Sequence, residues 1–158
     1  MLKTKKQIGM MILWILVIFW MAVIFNLSSQ VSHESNKLSK EVTKVIVKTV
    51  EKVAPKTDFN MSKLNHIVRK NAHFFAYLIL GILVINALRS SGYRKFGWAL
   101  LICVVYAISD EVHQMFVPGR GPGIKDVCID SAGATVGIGI ALLLINILNR
   151  FKRGCWHE

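Results

Sequence analysis

The chain has 158 residues, 53% of them hydrophobic and 18% charged, and its mean hydropathy is +0.46. A soluble domain carries about a quarter charged residues spread over its surface; here the charges cluster between long apolar runs, which excludes an ordinary soluble fold and predicts an integral membrane protein. Twenty Lys and Arg against nine Asp and Glu give a net charge of +11, but no nucleic-acid motif or aromatic-basic platform accompanies it, so no nucleic-acid partner is expected and the excess is assigned to a bilayer with anionic lipids.

Residues 8–27 are an uncharged run, about 30 Å long as a helix at ~1.5 Å per residue, enough to cross the hydrocarbon core. Lys3, Lys5 and Lys6 precede it as in a signal peptide, but the run exceeds the ~7 to 15 apolar residues of such a segment and no small-x-small site follows, so an uncleaved anchor is expected. Between residues 36 and 53, Leu38, Val42, Val45, Ile46, Thr49, Val50 and Val53 recur at helical spacing while Lys37, Lys40, Lys44, Lys48 and Lys52 take the other side. This predicts an amphipathic interfacial helix on an anionic leaflet, ended before Pro55; the narrowness of its apolar stripe also fits a solvated helix packed on its neighbours.

The second span is expected at 72–89, with its helix extending back through Ser62 as an N-cap. The third is expected at 96–117, apolar as far as Ser109, then reading Asp110, Glu111, Val112, His113 and Gln114 before Pro118 stops it. The fourth is expected at 127–148. The fold class is therefore all-α, a single polytopic membrane bundle over 1–158 with four transmembrane helices and the interfacial helix between the first and second. Cys103, Cys128 and Cys155 show no CxxC or zinc spacing and are expected to be free thiols. Lys and Arg are nearly balanced between the two faces, but the basic amino-terminus and the short break holding Arg89, Arg94 and Lys95 favour cytoplasmic termini.

With four spans, parity puts the start of helix two, the end of helix three and the start of helix four on one side, extracytoplasmic in that orientation. Helix two begins with Arg69, Lys70, His73 and Tyr77, and helix four opens with Asp126 and Asp130; the loop before it carries Gly119, Arg120, Gly121, Pro122 and Gly123. Positions three or four apart share a helical face, so Arg69, His73 and Tyr77 form one stripe and Tyr106, Asp110, His113 and Gln114 another. Glu111 lies about 100° round from Asp110, so the two carboxylates address different partners. Asp126 and Asp130 share a stripe with Gly133, Gly137 and Ala141, a small-xxx-small surface that admits a close helix and turns the aspartates inward. Asp130, a turn inside its apolar run, needs a partner such as Arg120, Arg69 or Lys70, and the loop's backbone N–H groups could form an anion nest.

Ionisable residues inside a membrane default to function, although His73 alone reads first as interhelical polar glue. Glu111 and His113 are two apart and form no H-E-x-x-H, so a divalent metal, open but not favoured, would need His73 from helix two, with His113 possible, and would be held by His and Asp side chains. The glycine-rich loop follows no strand and is a weak nucleotide signal, and no G-x-S-x-G elbow is present.

Arg69, Lys70, His73 and Tyr77, then Asp110, Glu111, His113, Gln114, Phe116 and Arg120, then Asp126, Asp130, Gly133 and Gly137 resemble the VanZ-like family of bacterial membrane proteins over residues 69–137. The long loop and first span resemble it only in position and hydropathy, and Pro122 departs from the small or flexible residue expected there. The resemblance implies a multi-pass protein of the bacterial cell membrane, with a namesake that gives low-level resistance to teicoplanin, a lipid-bearing glycopeptide. It supplies no mechanism.

Three functions stand open. The polar layer could bind an anionic headgroup, a lipid-linked wall precursor or the lipoglycopeptide, with Arg69, Lys70 and Arg120 as clamps and His73, Tyr77, Gln114, Asp126 and Asp130 completing the site. It could be an enzyme on an envelope lipid, with Asp110 or Glu111 as base and His113 or His73 as acid or base. Or the charges could be a structural clamp between helices.

Overall fold

A computed structural model describes residues 2–29, 41–42, 61–93, 96–117 and 123–154. Among these, four helices carry the fold: α1 (Leu2–Ser29), α2 (Met61–Ser90), α3 (Phe96–Gln114) and α4 (Ile124–Gly154). Each contains a stretch long and apolar enough to cross a membrane: Thr4–Ser29, Ile67–Ser90, Phe96–Gln114 and Ile124–Phe151. The predicted interfacial helix at 36–53 lies outside the described residues except for Glu41 and Val42, which are helical.

Four of the six residues from Gly133 to Ile138 have no room for water or lipid: Gly133, Ala134, Gly137 and Ile138 are all buried. A Cβ on Gly133 would run into the carbonyl of Phe74, one on Gly137 into that of Leu78, and one on Gly81 into that of Ala134. Backbone meets backbone here, as the small-residue stripe requires. Phe74 pairs with Gly133 and Leu78 with Gly137, so α2 and α4 run parallel, and theirs is the most extensive interface among the described residues. The α2–α4 seam is the axis of the bundle.

Helix α1 packs across α2 in the opposite direction: the Trp14 indole donates to Ser91 Oγ (3.0 Å) and the Trp20 indole to the Ala76 carbonyl (2.9 Å). It runs parallel to α3, whose Tyr106 hydroxyl donates to the Met21 carbonyl at 2.6 Å. One stripe of α1, Val17, Ile24 and Ser28, is buried, while Ile8, Ile15, Ile18 and Phe19 are exposed. Val105 and Ile108 on α3 and Leu143, Leu144 and Leu148 on α4 are exposed too. So much outward apolar surface on three helices suits a hydrocarbon solvent and no aqueous one.

The helix ends depart from the expected spans in ways the backbone explains. Helix α2 starts at Met61, within one residue of the start expected from Ser62, and α4 runs on past 148 to Gly154, because charged residues continue a helix once it has left the hydrocarbon. Helix α2 ends at Ser90 and is capped by Gly92, φ +95°: Tyr93 N–H bonds the Leu88 carbonyl and Gly92 N–H the Arg89 carbonyl, a left-handed glycine cap. Helix α3 stops at Gln114, not at Val117: the amides of Met115, Phe116 and Val117 reach back three residues to Val112, His113 and Gln114. Pro118 disfavours helical geometry in the residue before it, and the last turn tightens instead of continuing.

Candidate functional site: a polar pocket where four helix ends meet

The antiparallel and parallel pairings put the end of α1, the start of α2, the end of α3 and the start of α4 at one end of the bundle. There a pocket is lined by Arg69, Lys70 and His73 from α2, Glu111 and Gln114 from α3, and Asp126, Ile129 and Asp130 from α4. Its cavity volume is about 20 Å³, room for about one water-sized occupant. A whole headgroup does not fit inside, but an ion or the oxygen of a larger group does.

Asp110 is 1% exposed. Its Oδ2 accepts from Ser28 Oγ at 2.7 Å and from Gln114 Nε2 at 3.2 Å, while its Oδ1 has no hydrogen-bond partner. Glu111 turns the other way, to α4: its Oε2 accepts the Gly123 N–H at 2.9 Å. The Gly123 carbonyl in turn accepts from Asp126 N–H at 2.8 Å, so Gly123 caps α4 and Glu111 pins that cap to the end of α3. The Gly123 amide, one of the loop's expected anion-binding donors, is occupied by this internal carboxylate.

Lys70 Nζ lies 3.1 Å from Asp126 Oδ1, with both side chains about a third exposed (30% and 33%). Solvent screening leaves such a pair worth about 0–1 kcal/mol. Asp130 is different. It is 0% exposed, neither of its oxygens has a hydrogen bond, and among the described residues the ionisable nitrogen that faces it is His73 Nδ1, 3.9 Å away. His73, Asp110 and Asp130 each place one nitrogen or carboxylate oxygen within 4.8 Å of the others. The buried Tyr77 hydroxyl has no hydrogen-bond partner and lies within electrostatic reach of both aspartates.

The remaining predicted residues fall as follows. His113 leaves the pocket and stacks on Phe25 of α1, ring centroids 4.2 Å apart; the metal-capable grouping pairs His73 with two aspartates in place of His113. Arg69 lines the pocket and makes no ion pair among the described residues. Arg120 lies outside the described residues. Ser28, Phe25 and Ile129 were not read from the sequence. For Ser28 a signal existed: the same parity that gathers three helix ends also brings the end of the first span, and Ser28 is the first polar side chain after Leu27.

Cys103 is buried and Cys128 exposed, both free. No curated protein and no solved structure matches the chain. The family described as VanZ/LLP1 matches residues 13–146, a stretch that reaches into all four spans and contains every residue of the polar pocket. The chain therefore belongs to the VanZ/LLP1 family, as a multi-pass membrane protein built on four apolar helices.

Proposed function

We propose that the protein works at the bacterial cell envelope, where its polar pocket engages the charged headgroup of an envelope lipid, a lipid-linked wall precursor or a lipoglycopeptide, and so lowers susceptibility to teicoplanin. The carrying observation is the convergence of Arg69, Lys70 and three carboxylates, Glu111, Asp126 and Asp130, on one small pocket at the bundle's end, with Asp110 close behind Asp130. A cavity of about 20 Å³ admits only the tip of such a headgroup, leaving its bulk at the interface and its acyl chains along the exposed apolar faces. Arg69, the pocket cation without an ion pair among the described residues, is the natural donor to a phosphate or carboxylate oxygen.

The test is teicoplanin and vancomycin susceptibility of a susceptible Gram-positive host expressing wild type, Arg69→Gln or Glu111→Gln, with the membrane abundance of each measured. Glu111→Gln keeps an acceptor for the Gly123 amide and removes only the charge. Wild type should raise tolerance to teicoplanin selectively, and Arg69→Gln should lose it at equal abundance, since a charge-assisted hydrogen bond is worth about 1.5–3 kcal/mol, roughly ten- to a hundredfold in affinity. A well-expressed wild type that changes neither susceptibility sinks the antibiotic assignment.

The buried oxygens of Asp110 and Asp130 beside His73 favour a second function, acid-base chemistry on an envelope lipid. It predicts a lipid or precursor of altered mass that disappears in Asp130→Asn; unchanged lipid masses in wild type and variant alike exclude it. Binding alone gives saturable uptake without a product.

A further inference from the structure

We propose that His73, Asp110 and Asp130 form a site for one first-row divalent cation of the zinc or manganese kind, its open coordination positions facing the polar pocket. The three ligand atoms lie within 4.8 Å of one another. In a tetrahedral site with bonds of ~2.0 Å the ligands stand about 3.3 Å apart, so small side-chain rotations bring all three onto one ion.

The acidic cluster does not stand alone. Asp130 is fully enclosed, with neither oxygen hydrogen-bonded, although a buried carboxylate in a membrane bundle requires a partner. Among the described residues no Lys or Arg supplies one: Lys70 is engaged with Asp126, and the group facing Asp130 is the His73 imidazole at 3.9 Å, a cation only when protonated and otherwise a ligand nitrogen. Asp110 is held from outside the cluster through one oxygen, by Ser28 and Gln114, leaving Oδ1 bare. Fixing one carboxylate oxygen by hydrogen bonds while the other is left to ligate is how metal ligands are oriented.

The donor set selects the ion. One imidazole and two carboxylates suit zinc or manganese; calcium and magnesium prefer all-oxygen shells, and copper(I) prefers sulfur. Three protein ligands leave room for an exogenous oxygen, and His73 and Asp130 themselves line the pocket. The ligands come from α2, α3 and α4, and Ser28 orients one of them from α1, so a bound ion would tie all four spans together and couple metal affinity to folding. The site shares its pocket with the headgroup function but does not depend on it: metal content is read with no ligand present, and susceptibility with no metal measured.

The experiment uses the full chain, purified in detergent without a polyhistidine tag, stripped with chelator, loaded with Zn²⁺ or Mn²⁺, desalted and analysed for metal by mass spectrometry. Wild type should retain about one equivalent, and Asp130→Asn and His73→Gln less than a tenth of that, each eluting as folded protein. Ser28→Ala should weaken affinity by about ten- to a hundredfold, the usual effect of removing an orienting partner. Should the aspartate variant not fold, the Co²⁺-loaded wild type provides the readout: nitrogen-oxygen ligation gives weak visible bands without the intense thiolate absorption that Cys128 would bring. Wild type that retains neither metal overturns the proposal and leaves the buried carboxylates holding protons. Asp130→Asn that retains as much metal as wild type, or a thiolate band, places the ion elsewhere and overturns it equally.

Discussion

Asp110 has one oxygen hydrogen-bonded and the other bare, and the residues that surround it can be separated by substitution. Its Oδ2 is fixed by Ser28 from another helix and by Gln114 one turn along its own. Interhelical hydrogen bonds inside a bilayer are worth about 0.6 kcal/mol on average and up to about 1.7. Ser28→Ala should fall within that range, read as a lowered midpoint in SDS unfolding from mild detergent micelles, and a loss several times larger would mean that Ser28 supports more than this bond. His113 offers the opposite case. Its ring stacks on Phe25, so His113→Phe should keep membrane abundance and whatever phenotype wild type confers, while His73→Gln at equal abundance should lose it. If His113→Phe is expressed normally but inactive, the histidine acts in chemistry, and its stacking on Phe25 is not its whole role. The reason His113 was grouped with the pocket residues is geometric. At about 100° per residue it stands about 60° to one side of Asp110, and Glu111 about 100° to the other; spacing alone cannot say where on that arc a neighbouring helix will lie. With α1 beside it, the His113 flank became an aromatic contact, and the Glu111 flank met α4.

At the scale of the helix, the α2–α4 seam yields the sharpest prediction, because two glycines only two residues apart face opposite surroundings. A methyl group on Gly137 would collide with the backbone of Leu78, whereas one on Gly139 would meet nothing within 4 Å. Gly137→Ala therefore forces two helix backbones apart and should cost about 1–3 kcal/mol, typical of overpacking. Gly139→Ala should be neutral or stabilise by up to about 1 kcal/mol through helix propensity. The SDS-unfolding midpoint of Gly137→Ala should fall while that of Gly139→Ala stays or rises; equal shifts would mean that the seam is not as close as backbone contact. Gly133, Gly137 and Ala141 were legible as a small-residue stripe from the sequence, as were all four spans, because apolar run length is a direct consequence of bilayer thickness. The ends were less legible. Ser62, read as an N-cap, marks the start of α2 at Met61 to within one residue, although hydropathy cannot see it, since Lys63, Arg69 and Lys70 oppose insertion but not helicity. Nor does it see α3 tightening at Gln114, which is a local effect of Pro118. The orphaned oxygens of Asp130 were the least legible feature, because they depend on where three other helices place their side chains.

For the molecule as a whole, the side of the membrane that holds the polar layer decides which ligands can reach it. The layer gathers the end of α1 and the start of α4, while the opposite face carries the amino-terminal lysines, Arg89 beside the Gly92 turn and Arg150 near the end of α4. Basic residues close to span ends are retained in the cytoplasm, which argues for cytoplasmic termini and an outward-facing layer. Labelling settles the point. In a Cys128→Ser, Cys155→Ser background, a cysteine replacing exposed Lys125 at the start of α4 should react with a membrane-impermeant maleimide in intact cells. One replacing exposed Lys5 on α1 should react only after permeabilisation, and buried Cys103 should stay silent in both conditions. The reverse pattern would put the pocket on the cytoplasmic side, beyond the reach of a large polar glycopeptide. The inner-leaflet lipids and the cytoplasmic precursors of the cell wall would then be the only headgroups open to it, and any change in teicoplanin susceptibility would have to arise through them. The outward pattern leaves both the antibiotic and the externalised precursor in contact with Arg69 and the carboxylates behind it. Competition then separates the two: if the lipoglycopeptide itself is the ligand, its affinity for purified wild type should fall on Arg69→Gln substitution, and if the precursor is, only precursor binding should respond.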